Sequence, residues 1–133
     1  MESAEIVLFL MSLPAPSAEV VNAVQCAVRW FDRTRITGVR LREMRAPRAQ
    51  YMYHTTETDR ILVSDPNAPP LWARYYELGS QVPLFCNRDG KIVYSLAEVE
   101  RERRTGYAWY TQDPTEVFKR YPVWQQAHAP GRT

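Results

Sequence analysis

The residues best suited to chemistry in this chain are its arginines. Positive charge is carried by fifteen Arg and only two Lys, Lys91 and Lys119, against fifteen acidic residues. An Arg side chain presents a planar fork that binds carboxylate or phosphate in pairs of hydrogen bonds, and it keeps its charge when half buried. That bias suits an anionic ligand, and it equally suits a high-GC genome. The formal net charge is only +2, so no strong global field accompanies the arginines. The carboxylates Glu98 and Glu102 fall one helical turn apart beside Arg101, Arg103 and Arg104. That pattern reads as a solvated, salt-bridged face rather than an acid–base pair.

Other catalytic signatures are missing. The sequence holds no GxSxG, HExxH, Walker loop or Rossmann glycine run. His54 and His128 are too scattered for a zinc site. Cys26 and Cys86 match no metal motif; they read as small hydrophobes, with a Cys26–Cys86 bridge open to a secreted protein. Eight Tyr and four Trp remain. Rings with polar tips serve either as ligand surfaces or as core.

The elements that must position these residues come next. A hydrophobic share of 45% and a charged share of 24% suit an ordered globular chain, read as a single domain over residues 1–133 with disorder confined to the tail from Ala127 to Thr133. Ala4 to Leu13 reads as a helix that is apolar on most faces and wants burial on all sides. It is too short to span a membrane, and the Glu2 and Glu5 before its apolar run are the wrong sign for a signal peptide. Pro14 and Pro16 end it. Ser17 caps a second helix to about Arg33, with Val20, Val24, Ala27, Val28 and Phe31 on one stripe.

After Thr34 the periodicity changes. Val39 and Leu41 alternate with Arg40 and Arg42 as in a half-exposed strand; Tyr51 and Tyr53 alternate similarly, and Arg60 to Ser64 is a further strand. Arg45 to Gln50, around Pro47, reads as a loop, and Asp65 to Pro70 as a stiff loop. Leu71 to Leu78 is read as a short helix stopped by Gly79. Val82 to Phe85 and Lys91 to Tyr94 flank Asn87-Arg88-Asp89-Gly90, a hairpin signal. Ser95-Leu-Ala-Glu98 is a capping box for a helix to about Arg104. Asp113-Pro114 starts a last helix, which Pro122 kinks or ends.

Three ordered blocks then narrow the reading. They are P-L-W-A-R-Y-Y-E-L at Pro70 to Leu78, R-D-G at Arg88 to Gly90, and E-R-R-T-G-Y-A-W-Y at Glu102 to Tyr110. Together with Glu2-Ser3, Ile6-Val7, Phe9-Leu10-Met11 and Ile36-Thr37-Gly38, they resemble the C-terminal part of the catalytic domain of family 10 polysaccharide lyases, the pectate lyases. The resemblance implies a mainly α fold with short antiparallel β segments, like the C-terminal half of an α/α toroid. It implies polygalacturonic acid or low-ester pectin as ligand and β-elimination as the family's reaction. Calcium would bridge a sugar carboxylate to acidic side chains.

Carried over residue by residue, Arg74 and Arg88 match arginines that hold substrate carboxylates. Trp72, Tyr75, Tyr76, Tyr107 and Trp109 could supply sugar-stacking surfaces, with core packing as the other role of the two Trp. Arg103 and Arg104 read as structural or solvated. The family's base arginine is not located among these residues, and the helices that supply its calcium-binding acidic residues lie before the matched region. No catalytic residue and no metal ligand is therefore assigned, and calcium enters only through the substrate. The expectation is a pectate-binding, non-catalytic module, extracellular or periplasmic by resemblance. An active or weakly active lyase, rebuilt as a dimer, is the alternative. A single-stranded nucleic-acid binder is the third class; it is weakest because the charge is low and the arginines form no basic run. No membrane partner is expected.

Overall fold

A computed structural model describes residues 1–129. Its elements, in chain order, are α1 (Glu2–Met11), α2 (Ala18–Thr34), β1 (Val39–Gln50), β2 (Thr55–Ser64), β3 (Trp72–Ala73), β4 (Tyr75–Tyr76), β5 (Pro83–Cys86), β6 (Ile92–Val93), a 3-10 turn (Leu96–Glu98), α3 (Arg101–Gly106), β7 (Tyr110–Thr111) and α4 (Pro114–His128). They gather into two compact units. One combines Met1–Arg35 with the segment from Gln112 onward, and the other is Ile36–Thr111. No helix among the described residues is long and apolar enough to cross a membrane.

The first unit is helical. Ser17 caps α2 by accepting a hydrogen bond from the Val20 amide at 3.3 Å. The apolar stripe of α2 does bury Val24, Val28 and Phe31, while α1 contributes Ala4 and Val7 and α4 contributes Val117 and Trp124. The expectation that α1 is buried all round does not hold, since Ile6 and Phe9 are 59% and 63% exposed. Pro114 stands at the start of α4, where its missing N–H costs nothing. The helix runs through Pro122 to His128 instead of ending there. Ala127 and His128 close α4, and the rest of the expected tail, 130–133, lies outside the described residues.

The second unit is built on sheets, and here the mainly α expectation is corrected. The structure is 40% helical and 28% strand. Its longest sheet is the β1–β2 hairpin, antiparallel from Val39↔Ser64 to Arg45↔Thr58 and again at Ala49↔Thr56. The register shift between Arg45 and Ala49 takes up Pro47, which has no N–H for a ladder. That shift turns the expected loop into strand. Tyr51 and Tyr53 form the hairpin's turn instead of a strand, closed by Tyr51 N–H to His54 C=O at 2.8 Å.

Leu71–Leu78 is also extended rather than helical. β3 pairs with β7, and β4 joins the three-stranded sheet β4-β5-β6. The Asn87–Gly90 turn links β5 to β6 as expected, with Gly90 at φ +84°, the left-handed region that a side chain disfavours. The capping box forms only a 3-10 turn, in which the Ser95 hydroxyl donates to Glu98 Oε2 at 2.9 Å. α3 then restarts at Arg101.

Phe85, Val93, Leu96, Val99 and Trp109 form the core of this unit. α3 is tied to β2 by charge as well. Arg104 gives Asp59 two hydrogen bonds, 2.6 Å from Nε and 2.8 Å from Nη2, and Arg101 Nε donates to Thr58 C=O at 3.0 Å. Cys26 and Cys86 are both free thiols, so no bridge joins them.

Candidate functional site

The β3–β7 ladder decides where Arg74 goes. Trp72 pairs with Thr111 and Ala73 with Tyr110, and the Arg74 amide extends the ladder to Trp109 C=O at 2.8 Å. Side chains alternate across a strand, so the residue after Ala73 turns away from it. Arg74 therefore lies along the segment just before β7, where its Nη1 approaches Ala108 C=O at 3.4 Å. Its guanidinium carbon sits 4.3 Å from the centre of the Tyr107 ring and 5.8 Å from that of Tyr75. A cation over an exposed ring is stabilised by about 0.5–1 kcal/mol.

Tyr75 is placed by its pairing with Leu84 on β5. Tyr75 is 42% exposed, and its hydroxyl meets that of Tyr107 at 2.8 Å. The two phenols titrate as a pair. A hydrogen bond from Tyr107, helped by Arg74, holds Tyr75 below the ordinary tyrosine range, and the same bond raises Tyr107. We assign Tyr107 as the donor, since only that direction stabilises a Tyr75 phenolate.

Beneath these residues lies Trp109. Its ring centre is 4.7 Å from that of Tyr107 and 6.3 Å from that of Tyr75, both edge-on. Trp109 is only 3% exposed and spends its N–H on Arg103 C=O at 3.0 Å. Trp72 is 2% exposed. Trp109 supports the site from within the core, Trp72 is buried on β3, and neither offers a face to a ligand. Tyr76 is half buried, and its hydroxyl accepts the Ala73 amide at 3.0 Å. Tyr110, also half buried, is pushed up to about 12 by burial.

The structure thus brings together Arg74, Tyr75 and Tyr107 over Trp109. Arg88 stands apart from them on the Asn87–Gly90 turn. Its Nη2 donates to Glu102 Oε1 at 2.5 Å, and its guanidinium lies 4.5 Å from the Tyr53 ring centre. Glu102 is nearly buried, with 11% of its side chain exposed, so Arg88 is its neutralising partner.

One residue read from sequence as structural or solvated lies beside this group. Arg103, on α3, lays its guanidinium 5.0 Å from the Tyr107 ring centre and 5.5 Å from that of Trp109. Its spacing of four from Tyr107 was the available signal, hidden among Arg101, Glu102 and Arg104. A cleft of about 340 Å³ also borders Tyr107, lined on its polar side by Glu43, Arg60 and Arg104.

This arrangement can hold anions and stack against sugar rings. The described residues contain no group of three His, Cys, Asp or Glu able to hold a metal ion.

Known proteins resemble this chain in sequence and fold. The family model described as pectic acid lyase matches residues 1–118. Two solved structures of the family 10 polysaccharide lyase from Cellvibrio cellulosa are similar. One is an Asp-to-Ala mutant in complex with trigalacturonic acid, at TM-score 0.66 and 26% identity over 93% of this chain. The other has TM-score 0.66 and 27% identity over 90% of this chain. In each case the match spans 34% of the length of the lyase chain. A search of curated proteins finds no relative. Since the family model accounts for most of its residues, this chain belongs to the pectic acid lyase family.

Proposed function

We propose that this pectate lyase-like domain recognises polygalacturonate and does so without strong cleavage of its own. The observation that carries the reading is Arg74 stacked on Tyr107 beside the exposed Tyr75. A uronate offers a carboxylate for the guanidinium fork and a sugar face for the phenol rings. Each charged hydrogen bond contributes about 1.5–3 kcal/mol. Arg88 adds a second carboxylate contact once it exchanges Glu102 for ligand. The complex of the Cellvibrio cellulosa lyase with trigalacturonic acid supports the ligand class. On this reading the protein works outside the cell, where low-ester pectin is met.

Family membership favours a second reading, elimination by this chain. The C5 proton would pass to a base, the C4–oxygen bond would break, and a C4–C5 double bond would remain in the product. One experiment separates the readings. Affinity electrophoresis through polygalacturonate is paired with ultraviolet detection of unsaturated product, with and without calcium. Retardation without rapid product is expected. Rapid product would establish the lyase instead, and absence of retardation would remove both. Stronger retention on a single-stranded oligonucleotide than on polygalacturonate would favour the nucleic-acid class.

A further inference from the structure

Arg103 has an unusual environment for a helix-surface arginine. Its guanidinium lies over two rings, Tyr107 and Trp109, and its Nε is shut off from solvent with no hydrogen bond. Its neighbours on α3 are used differently. Arg104 is paired with Asp59, and Arg101 donates from Nε to Thr58, although its Nη2 is likewise enclosed without a partner. Glu102, the adjacent acid, is taken by Arg88. Among the described residues no carboxylate pairs with Arg103. Of its guanidinium nitrogens, only Nε is both enclosed and unpartnered.

Tyr107 therefore carries two guanidinium groups, Arg74 at 4.3 Å and Arg103 at 5.0 Å from its ring centre. The two cations are no farther apart than those distances taken together. Two like charges gathered on one ring, one of them half buried and lacking an acidic partner, favour an anion between or beside them. A polymer with a carboxylate on every sugar supplies such anions at neighbouring positions.

We propose that Arg103 is a further carboxylate anchor, which binds the uronate next to the one held by Arg74. This rests on the recognition reading above. Its expected signature is specific. An anchor for carboxylate contributes nothing on a methyl ester, whereas a residue that only braces the fold contributes equally to every ligand.

The test compares wild type with R103Q and R103K by affinity electrophoresis on low-ester and on fully esterified pectin, with near-ultraviolet circular dichroism to check the fold. On the low-ester polymer, R103Q is expected to be retained about tenfold less. R103K, which keeps the charge but loses the fork, should be intermediate. On the esterified polymer all three should match. Equal retention of wild type and R103Q on the low-ester polymer would overturn the proposal and leave the recognition reading standing. So would an equal loss on both polymers. If R103Q does not fold, R103K decides alone, and wild-type retention by R103K overturns the proposal. A wild type that is not retarded at all removes the recognition reading, and this proposal with it.

Discussion

The guanidinium of Arg74 lies 4.3 Å from the centre of the Tyr107 ring, whose hydroxyl is 2.8 Å from that of Tyr75. The ring holds the cation in place before any ligand arrives, which reduces the ordering cost of binding. R74A should therefore weaken polygalacturonate binding by about 10- to 100-fold, the worth of one charged hydrogen bond at tenfold per 1.4 kcal/mol. R74K should recover only part of it, because an ammonium lacks the fork. Retardation through polygalacturonate gels measures both.

Arg88 should behave differently. It is bound to Glu102, whose side chain is 11% exposed. R88A leaves that carboxylate without its partner. The pair is partly exposed on the Arg88 side, so the stability loss should be only about 1 kcal/mol. Thermal unfolding should show a lowered midpoint, and retention should fall by less than in R74A, because Arg88 must release Glu102 to take up a ligand.

Asp59 predicts the response to acid. Its two hydrogen bonds from Arg104 hold it below the ordinary carboxylate range, with burial opposing. As the pH falls through the usual Asp value, about 3.9, the unfolded chain takes up this proton first. The pair's stabilisation is therefore full above that value and is lost as the pH falls through the lower folded-state value. D59N should cost about 2–3 kcal/mol at neutral pH and flatten this part of the acid dependence. Denaturant unfolding across that range checks it.

The tyrosine pair gives an alkaline counterpart. Tyr75 should ionise before an ordinary tyrosine, and Tyr110, held up to about 12 by burial, should ionise late. Y107F removes the donor to Tyr75 and should move its ionisation to higher pH. Ultraviolet titration of tyrosinate absorbance would show the early phase shrink; an unchanged early phase in Y107F would assign it to another residue.

Local chemistry made some elements legible from sequence. The Ser17 cap, the Val24–Val28–Phe31 stripe, Gly90 in its turn and Pro114 at the start of α4 all follow from rules acting within a few residues. The errors came where distant pairing decides. Leu71–Leu78 carries aromatic residues that fit either period. It is held extended by β7 and β5, which lie about thirty-seven and about nine residues downstream respectively (Ala73↔Tyr110, Tyr75↔Leu84). Arg45 to Gln50 around Pro47 read as a loop, but a register shift lets the strand continue through it. The site was legible in part. Arg74, Tyr75 and Tyr107 were named from their blocks, while Trp72 and Trp109 went into the core that supports them. Arg103 was read as structural or solvated because a run of charge on a helix looks solvated, and only the fold places Tyr107 and Trp109 under it.

The most direct test is calorimetric titration of trigalacturonic acid into the wild-type chain and into R74A. The account predicts saturable binding by wild type and a loss of at least about tenfold in R74A. No binding by wild type, or equal binding by the two proteins, would contradict it.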